Sequence, residues 1–350
     1  MTIHTAVMIP GDGIGPEVTA AAERVLKAAD APVRFIERHA GIAALDRGEN
    51  DVLPQTTVDA IREHGVALKG PCTTPIGGGF GSVNVALRKK LSLYASIRPV
   101  RSLPGVKTRF ENVDLVIVRE NTEGLYSGIE NQITDDVVVS MKVATRDSCE
   151  RIARWAFRYA VHRGRNKVSA FHKANIMKLS DGLFINESRK VHEEEYPNIK
   201  YEEVIIDAAC MRLVTDPTQF DMLLCENLYG DIISDLCAGL VGGLGCTPGA
   251  NIGDVDAVFE AVHGSAPDIA GQDKANPLAV IMSAAMMLNH IGTTRKDNAA
   301  LESAGRVRDA YNLALTEGQK TRDLGGELSC SGFADAVIDR LKTAPATVGN

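Results

Sequence analysis

The sequence has no Cys-x-x-Cys pair, no apolar run long enough for a bilayer and no excess of basic charge. Its seven cysteines, at 72, 149, 210, 225, 237, 246 and 330, are scattered and odd in number. That argues against a zinc ribbon or a disulfide frame and reads as reduced thiols in a reducing compartment. The most apolar late stretch, PLAVIMSAAMMLNHIG, is too short to span a membrane and reads as a buried helix. The net charge of −7 argues against wholesale nucleic-acid binding. No charged leader or transit-peptide pattern is visible, so the expectation is a cytoplasmic chain with no membrane and no nucleic-acid partner. Internal repeats and low-complexity linkers are also missing, which leaves domain boundaries unmarked.

What is present is the pattern of an ordinary globular enzyme. At 350 residues the chain is long for one core, so two lobes are expected, and 45% hydrophobic with 24% charged residues is typical of such a protein. HTAVMIP reads as a strand that ends in the turn GDGIGPE, followed by a helix over 16–30 with Val18, Ala21, Ala22 and Val25 on one face. VRFIER, VALKG, VDLVIVRE and KVSAFHKA read as strands, and KYEEVIIDAAC and FDMLLCENLYGDI each begin as one. A helix is expected over 147–163, started by a capping-box-like pair, Asp147 and Glu150. The alternation implies an α/β fold with largely parallel pairing.

Two glycine-rich stretches resemble nucleotide motifs and match neither. GDGIGPE places glycines at 11, 13 and 15 with Pro16 after them, which is not the GxGxxG fingerprint; a tight strand-to-helix turn accounts for it. TTPIGGGFGSVNVALRKKLSLYASIRP has no GxxxxGK[ST], because Gly81 is followed by Ser82, Val83 and Asn84. Yet its glycines end where a helix begins. Val83, Leu87 and Leu91 share one face of that helix, and Asn84 and Arg88 share another near the anion-favouring N-terminus. Between Ser82 and Arg119 there are eight Lys or Arg against two Asp or Glu. A solvated charged face accounts for this as well as a binding site does; if a site, Arg favours planar carboxylates, so a small polycarboxylate is at least as plausible as a phosphate. Further on, YGDIISDL puts Asp231 and Asp235 on one helical face, and VIIDAAC puts Asp207 at a strand end. Such carboxylates are either solvated or separated by a cation, for which oxygen donors select Mg²⁺ or Mn²⁺.

Six stretches in order from residue 11 to residue 277 carry a resemblance: GDGIGPE, TTPIGGGFGSVNVALRKKLSLYASIRP, VRENTEGLYSGIE, FHKANIMKLSDGLF, ENLYGDIISDLCAGLVGGLG and HGSAPDIAGQDKANP. The chain resembles the β-decarboxylating dehydrogenases, which include isocitrate, homoisocitrate and 3-isopropylmalate dehydrogenases. The resemblance implies a two-lobed, non-Rossmann α/β fold, with residues 1–95 and 242–350 as a large domain and 96–241 as a small domain. A segment just after Tyr126 would clasp a second copy, giving a homodimer or higher homo-oligomer with shared active sites.

It also implies roles. Ser82, Asn84, Arg88, Arg98 and Arg119 would hold substrate carboxylates, with the glycine-rich loop letting substrate and nicotinamide approach. Asp207, contributed by the neighbouring subunit, would meet Asp231 and Asp235 at Mg²⁺ or Mn²⁺. Tyr126 would be the acid, and Lys173, also from the neighbour, would assist proton transfer. Thr73, His263, Gly264, Ser265, Ala266, Asp268 and Asn276 would line the nucleotide. Asp268 favours a ribose 2′-hydroxyl over a 2′-phosphate and so favours NAD. Isopropylmalate enzymes carry leucine-type residues where this chain has Ser82 and Asn84, so the expected substrate is isocitrate, with homoisocitrate or 3-isopropylmalate as alternatives. A regulatory subunit of a hetero-oligomeric enzyme is a further alternative, disfavoured because the catalytic set is complete. Ser92 and Ser265 depart from the family's usual aspartate and threonine, outside its catalytic positions.

Overall fold

The structure, a computed structural model, describes residues 2–75 and 79–342. The glycines at 77 and 78, part of the loop expected to approach the substrate, lie outside the described residues. The chain divides into two compact units: unit 1 comprises Met1–Leu91, Ser102–Thr108 and Gly242–Asn350, and unit 2 comprises Ser92–Arg101 and Arg109–Val241.

Unit 1 contains β1 (His4–Ile9), α1 (Gly15–Ala28), β2 (Val33–Glu37), α2 (Ile42–Leu45), α3 (Gln55–His64), β3 (Val66–Lys69) and α4 (Val83–Lys90). Unit 2 supplies β4 (Ala95–Arg101), β5 (Asp114–Glu120), β6 (Gly124–Thr134), β7 (Val137–Val143), α5 (Arg146–His162), β8 (Lys167–His172), α6 (Ser180–Glu195), β9 (Lys200–Ile205), α7 (Ile206–Thr215), β10 (Met222–Cys225) and α8 (Asn227–Leu240). The chain then returns to unit 1 for β11 (Pro248–Ile252), β12 (Ala257–Ala261), α9 (Leu278–Thr294), α10 (Asn298–Thr316) and α11 (Cys330–Leu341).

In unit 1 the strands run in the order β2-β1-β3-β12-β11. Pairing is parallel except between β11 and β12. Helices cover such sheets on both faces, so the strands read as unbroken apolar runs; all four residues of β3 are buried. Pro16 sits in the first turn of α1, Glu17 lies near its positive end and Lys27 near its negative end. The apolar stretch anticipated as a buried helix is α9, buried along most of its length, as expected of a helix that is hydrophobic almost all round.

Unit 2 orders its strands β4-β5-β10-β8-β9, antiparallel between β4 and β5 and parallel thereafter. Its core is built from Leu115, Ile117, Phe171, Leu223, Ile233 and Val241, all fully or nearly fully buried. Each such side chain contributes about 1.5–3 kcal/mol by leaving water. β6 and β7 form a separate antiparallel hairpin whose Ile133 and Val138 are 63% and 62% exposed.

Two local readings are corrected. α5 starts at Arg146 and its cap is Thr145, whose Oγ1 accepts from the Ser148 N–H at 3.3 Å, so Asp147 is a helical first-turn residue rather than the cap. Asp207 does not end a strand; it lies in the first turn of α7. Among the described residues no helix is long and apolar enough to cross a membrane.

All seven cysteines are free thiols; six are buried and Cys210 is half-buried. Burial pushes the thiols of Cys149, Cys237, Cys246 and Cys330 up to about 12, which suppresses the reactive thiolate. An aromatic disulfide reagent should therefore label Cys210 first in the native protein, and the other six only as the chain unfolds. Fast labelling of more than one thiol in native buffer would show that this core is looser than described.

Candidate active site

In unit 1, the turn after β1 is clamped to two other loops. Asp12 is buried, its Oδ1 accepts from the Ala43 N–H at 2.8 Å and its Oδ2 accepts from the Thr73 N–H at 2.8 Å. Thr73 Oγ1 and Ser265 Oγ share a hydrogen bond of 2.7 Å, and Ile14 N–H donates to the Ser265 carbonyl at 2.8 Å. Gly13 has φ +58°, and a Cβ there would stand 2.0 Å from that carbonyl; only glycine permits the approach. Thr73 and Ser265 are thus brought together. The next residue, Ala266, adopts the left-handed conformation at φ +37°, which is uncommon for a residue with a side chain.

The rest of the expected nucleotide set has its own contacts. His263 Nδ1 lies 3.0 Å from the Gly264 carbonyl, its Nε2 is buried without a partner, and burial lowers its pKa, so the imidazole is neutral at pH 7. Gly264 and Asp268 are exposed, Asp268 in the short turn Pro267–Ile269. Asn276 Nδ2 donates to Asp323 at 2.9 Å while its Oδ1 accepts from the Leu278 N–H at 2.9 Å, so that amide ties the start of α9 to the short turn Arg322–Leu324.

Ser82 caps α4, its Oγ accepting from the Val85 N–H at 3.5 Å; a hydroxyl that accepts there still carries a proton to donate. Two residues on, Asn84 has a buried amide oxygen without a partner among the described residues. Arg88 is buried, with Nη2 at 3.4 Å from Glu260 Oε1 and Nε without a partner among the described residues.

Unit 2 gathers a second set of expected residues on α8. Arg98 donates to Asp231 Oδ1 at 3.3 Å, to Asp235 Oδ1 at 3.4 Å and to Ser234 Oγ. Arg119, 0% exposed, donates to Asp231 and to Asn227 Oδ1. The Tyr126 hydroxyl donates to Asp231 Oδ2, and the Arg119 guanidinium lies over its ring at 4.9 Å. Burial and then the Asp231 hydrogen bond raise the Tyr126 pKa, so the phenol keeps its proton at neutral pH. The Asp235 carboxyl is raised by burial, pulled down by Arg98 and raised again by Asp231.

Lys173 and Asp207 form a pair of their own, with side chains 28% and 68% exposed. That bond lowers the Asp207 pKa. Among the described residues, no three His, Cys, Asp or Glu side chains approach closely enough to hold an ion, so Asp207 is not with Asp231 and Asp235 in this chain.

Sequence reasoning passed over Asp12, Lys69, Asn227, Gly230 and Glu260. Gly230 had a readable signal: it stands one residue before Asp231 in YGDIISDL, on the face that meets the arginine. A Cβ there would lie 2.6 Å from Arg119 Cβ and Cγ.

A sequence model of the isocitrate/isopropylmalate dehydrogenase family matches residues 5–337, and the chain belongs to that family. It is 50% identical over 339 residues to the Arabidopsis thaliana mitochondrial NAD isocitrate dehydrogenase catalytic subunit 5, covering 96% of this chain and 88% of the relative. To a mitochondrial regulatory subunit of the NAD isocitrate dehydrogenase from Dictyostelium discoideum it is 49% identical over 345 residues, covering 97% and 92%. The crystal structure of isocitrate dehydrogenase from Methylococcus capsulatus superposes with a TM-score of 0.92 at 47% identity, covering 97% of this chain and all of that one. The α/β fold expected from the resemblance is therefore the one observed. The expectation of a cytoplasmic location is corrected: the relatives from Dictyostelium discoideum, Arabidopsis thaliana, Caenorhabditis elegans and Macaca fascicularis are named as mitochondrial proteins.

Gly230→Ala should push the Arg119 stem off α8 and cost about 1–3 kcal/mol, as overpacking does. Gly239→Ala, on the same helix with nothing within 4 Å, should be neutral or stabilising by up to about 1 kcal/mol. Urea denaturation of the two variants checks this, and equal stabilities would remove the steric role of Gly230.

Proposed function

We propose that the chain catalyses the oxidative decarboxylation of isocitrate to 2-oxoglutarate with NAD and a divalent metal. Family membership and the names of the relatives support the reaction class. The observation that carries the substrate choice is the first turn of α4, where Ser82 and Asn84 offer hydrogen-bonding groups, Asn84 with one end of its amide buried and unpartnered. Such a site rejects a substrate lacking the matching polar group far better than an apolar pocket discriminates by size.

Arg88, Arg98 and Arg119 hold the carboxylates in this reading, and their fixed guanidinium planes orient the substrate. Tyr126, kept protonated, supplies a proton to carbon after CO₂ leaves, and Lys173 of the partner subunit moves the hydroxyl proton. Asp231 and Asp235 present only carboxylate oxygens, a donor set that fits Mg²⁺ or Mn²⁺, and Asp207 of the partner subunit would complete it. When bound, the cation would supply Lewis-acid polarisation and the nicotinamide would supply a hydride acceptor. Thr73, Ser265 and His263 frame the nucleotide, and Asp268 selects NAD by accepting from the ribose 2′-hydroxyl. Because Arg88, Arg98, Arg119, Tyr126, Lys173 and all three aspartates are present, the catalytic rather than the regulatory role is proposed.

The chain purified alone, with Mn²⁺, should oxidise isocitrate and release CO₂, with kcat/KM at least about a hundredfold higher for NAD than for NADP. Activity on 3-isopropylmalate equal to that on isocitrate would overturn the reading of Ser82 and Asn84; a preference for homoisocitrate would change the substrate and leave the chemistry.

A homo-oligomer with shared sites is part of the proposal, supported by the exposed apolar side chains of the β6–β7 hairpin. Tyr126→Phe and Lys173→Met homo-oligomers should both be weak, and refolding them as a mixture should restore activity. A mixture no better than its parents would place both residues in one subunit's site.

A further inference from the structure

A lysine and a glutamate lie in the interior of unit 1 without a part in the reading above. Lys69 ends β3 and is 1% exposed. Its register partner on β12 is Glu260; Lys69 Nζ lies 2.7 Å from Glu260 Oε2 and donates to the Gly70 carbonyl at 2.8 Å. The other oxygen, Oε1, accepts from Asn251 Nδ2 at 2.6 Å and from Arg88 Nη2 at 3.4 Å. The Glu260 backbone is held as well, its carbonyl accepting from Ser283 Oγ at 2.9 Å.

Lys69 and Glu260 would be neutral as a pair. Arg88 makes the buried group two cations to one anion, and its contact with Glu260 is the longest in the group. Its Nε has no partner among the described residues. A buried guanidinium is stable only when its charge and donors are answered. One side of Arg88 is therefore tethered and the remaining charge is left for a ligand anion.

We infer that Glu260 is a positioning residue for Arg88, with Lys69 as its counter-cation and Asn251 as a second tether, so that the guanidinium meets an incoming substrate carboxylate already oriented. The inference rests on the reading of Arg88 as a carboxylate-binding group. Burial alone pushes the Glu260 carboxyl up, yet Lys69 and Arg88 beside it bring it down to about 2, so the tether is charged throughout the neutral range.

The test is a cycle of variants in the full chain. Glu260→Gln alone leaves Lys69 unpaired and risks the fold, so the pair is removed together as Lys69→Met with Glu260→Gln. Substrate is isocitrate, or whichever acid of the panel above turns over fastest, and its affinity is also measured by calorimetry without nucleotide. With Arg88 present, the double variant should raise KM and Kd about tenfold or more and change kcat by less than about threefold. In an Arg88→Met background the same double change should alter Kd by less than about twofold. Glu260→Asp, which keeps the charge but shortens the reach, should fall between wild type and the double variant. Equal losses in both backgrounds, with Arg88→Met itself impaired, would overturn the positioning role alone. An Arg88→Met variant that binds and turns over substrate like wild type would overturn the carboxylate-binding reading of Arg88 and the inference with it.

Discussion

The polar face of α8 in unit 2 depends on one carboxylate. Asp231 accepts from Arg98, Arg119 and Tyr126, and Arg119 is fully removed from water. A guanidinium in that position without an anion would cost several kcal/mol, so the register of α8 against β5 is fixed by this contact. The helix sequence is written around it. Asn227, Gly230, Asp231, Ser234 and Asp235 recur at the spacing of one helical face, and that face meets the arginines. Ile233 and Cys237 point instead into the unit 2 core. Glu226 caps the helix, accepting from the Tyr229 N–H at 3.0 Å, and so sets where the polar face begins.

Unit 1 uses the same kind of constraint. There, cations outnumber the anion, and the carboxylate of Glu260 is the fixed point between Lys69 and Arg88. Nearby, the carboxylate of Asp12 holds two loops by their backbone N–H groups. Charge-assisted bonds of this sort contribute about 1.5–3 kcal/mol each when buried. They also order a turn that, by its glycine spacing, resembles a nucleotide fingerprint but is built as a clamp.

Much of this was legible in the sequence, for identifiable reasons. β1, β3, β5 and β8 announce themselves as short apolar runs, and the placement of Asp231 and Asp235 on one helix follows from their spacing. Ser82, Asn84 and Arg88 were found because a helix start leaves a local signature. Asp207 was misplaced because VIIDAAC is an apolar run that periodicity cannot assign to strand or helix; the strand ends at Ile205 and α7 begins at Ile206. Glu260 and Lys69 gave no local sign at all. Glu260 lies 172 residues from Arg88 in sequence, and only the pairing of β3 with β12 brings it to Lys69. Long-range ion pairs between buried strands carry no periodicity, so the residues that hold a binding group in place are harder to read than the binding group itself.

The charged residues also differ in how firmly they are held. Arg88, Arg98 and Arg119 are buried, each tied to carboxylates by contacts that solvent cannot replace. Lys173 and Asp207 form an exposed pair, and exposed pairs contribute little to stability and are readily exchanged. In the proposed reaction the first group only binds and orients. The second group must change partners, one member moving a proton and the other meeting a cation. A buried pair would resist that exchange by the cost of leaving a charge unpaired, whereas a solvated pair can trade its partner for another at almost no cost. The division between fixed and exchangeable charges is thus the one that a substrate-binding site with a mobile proton requires.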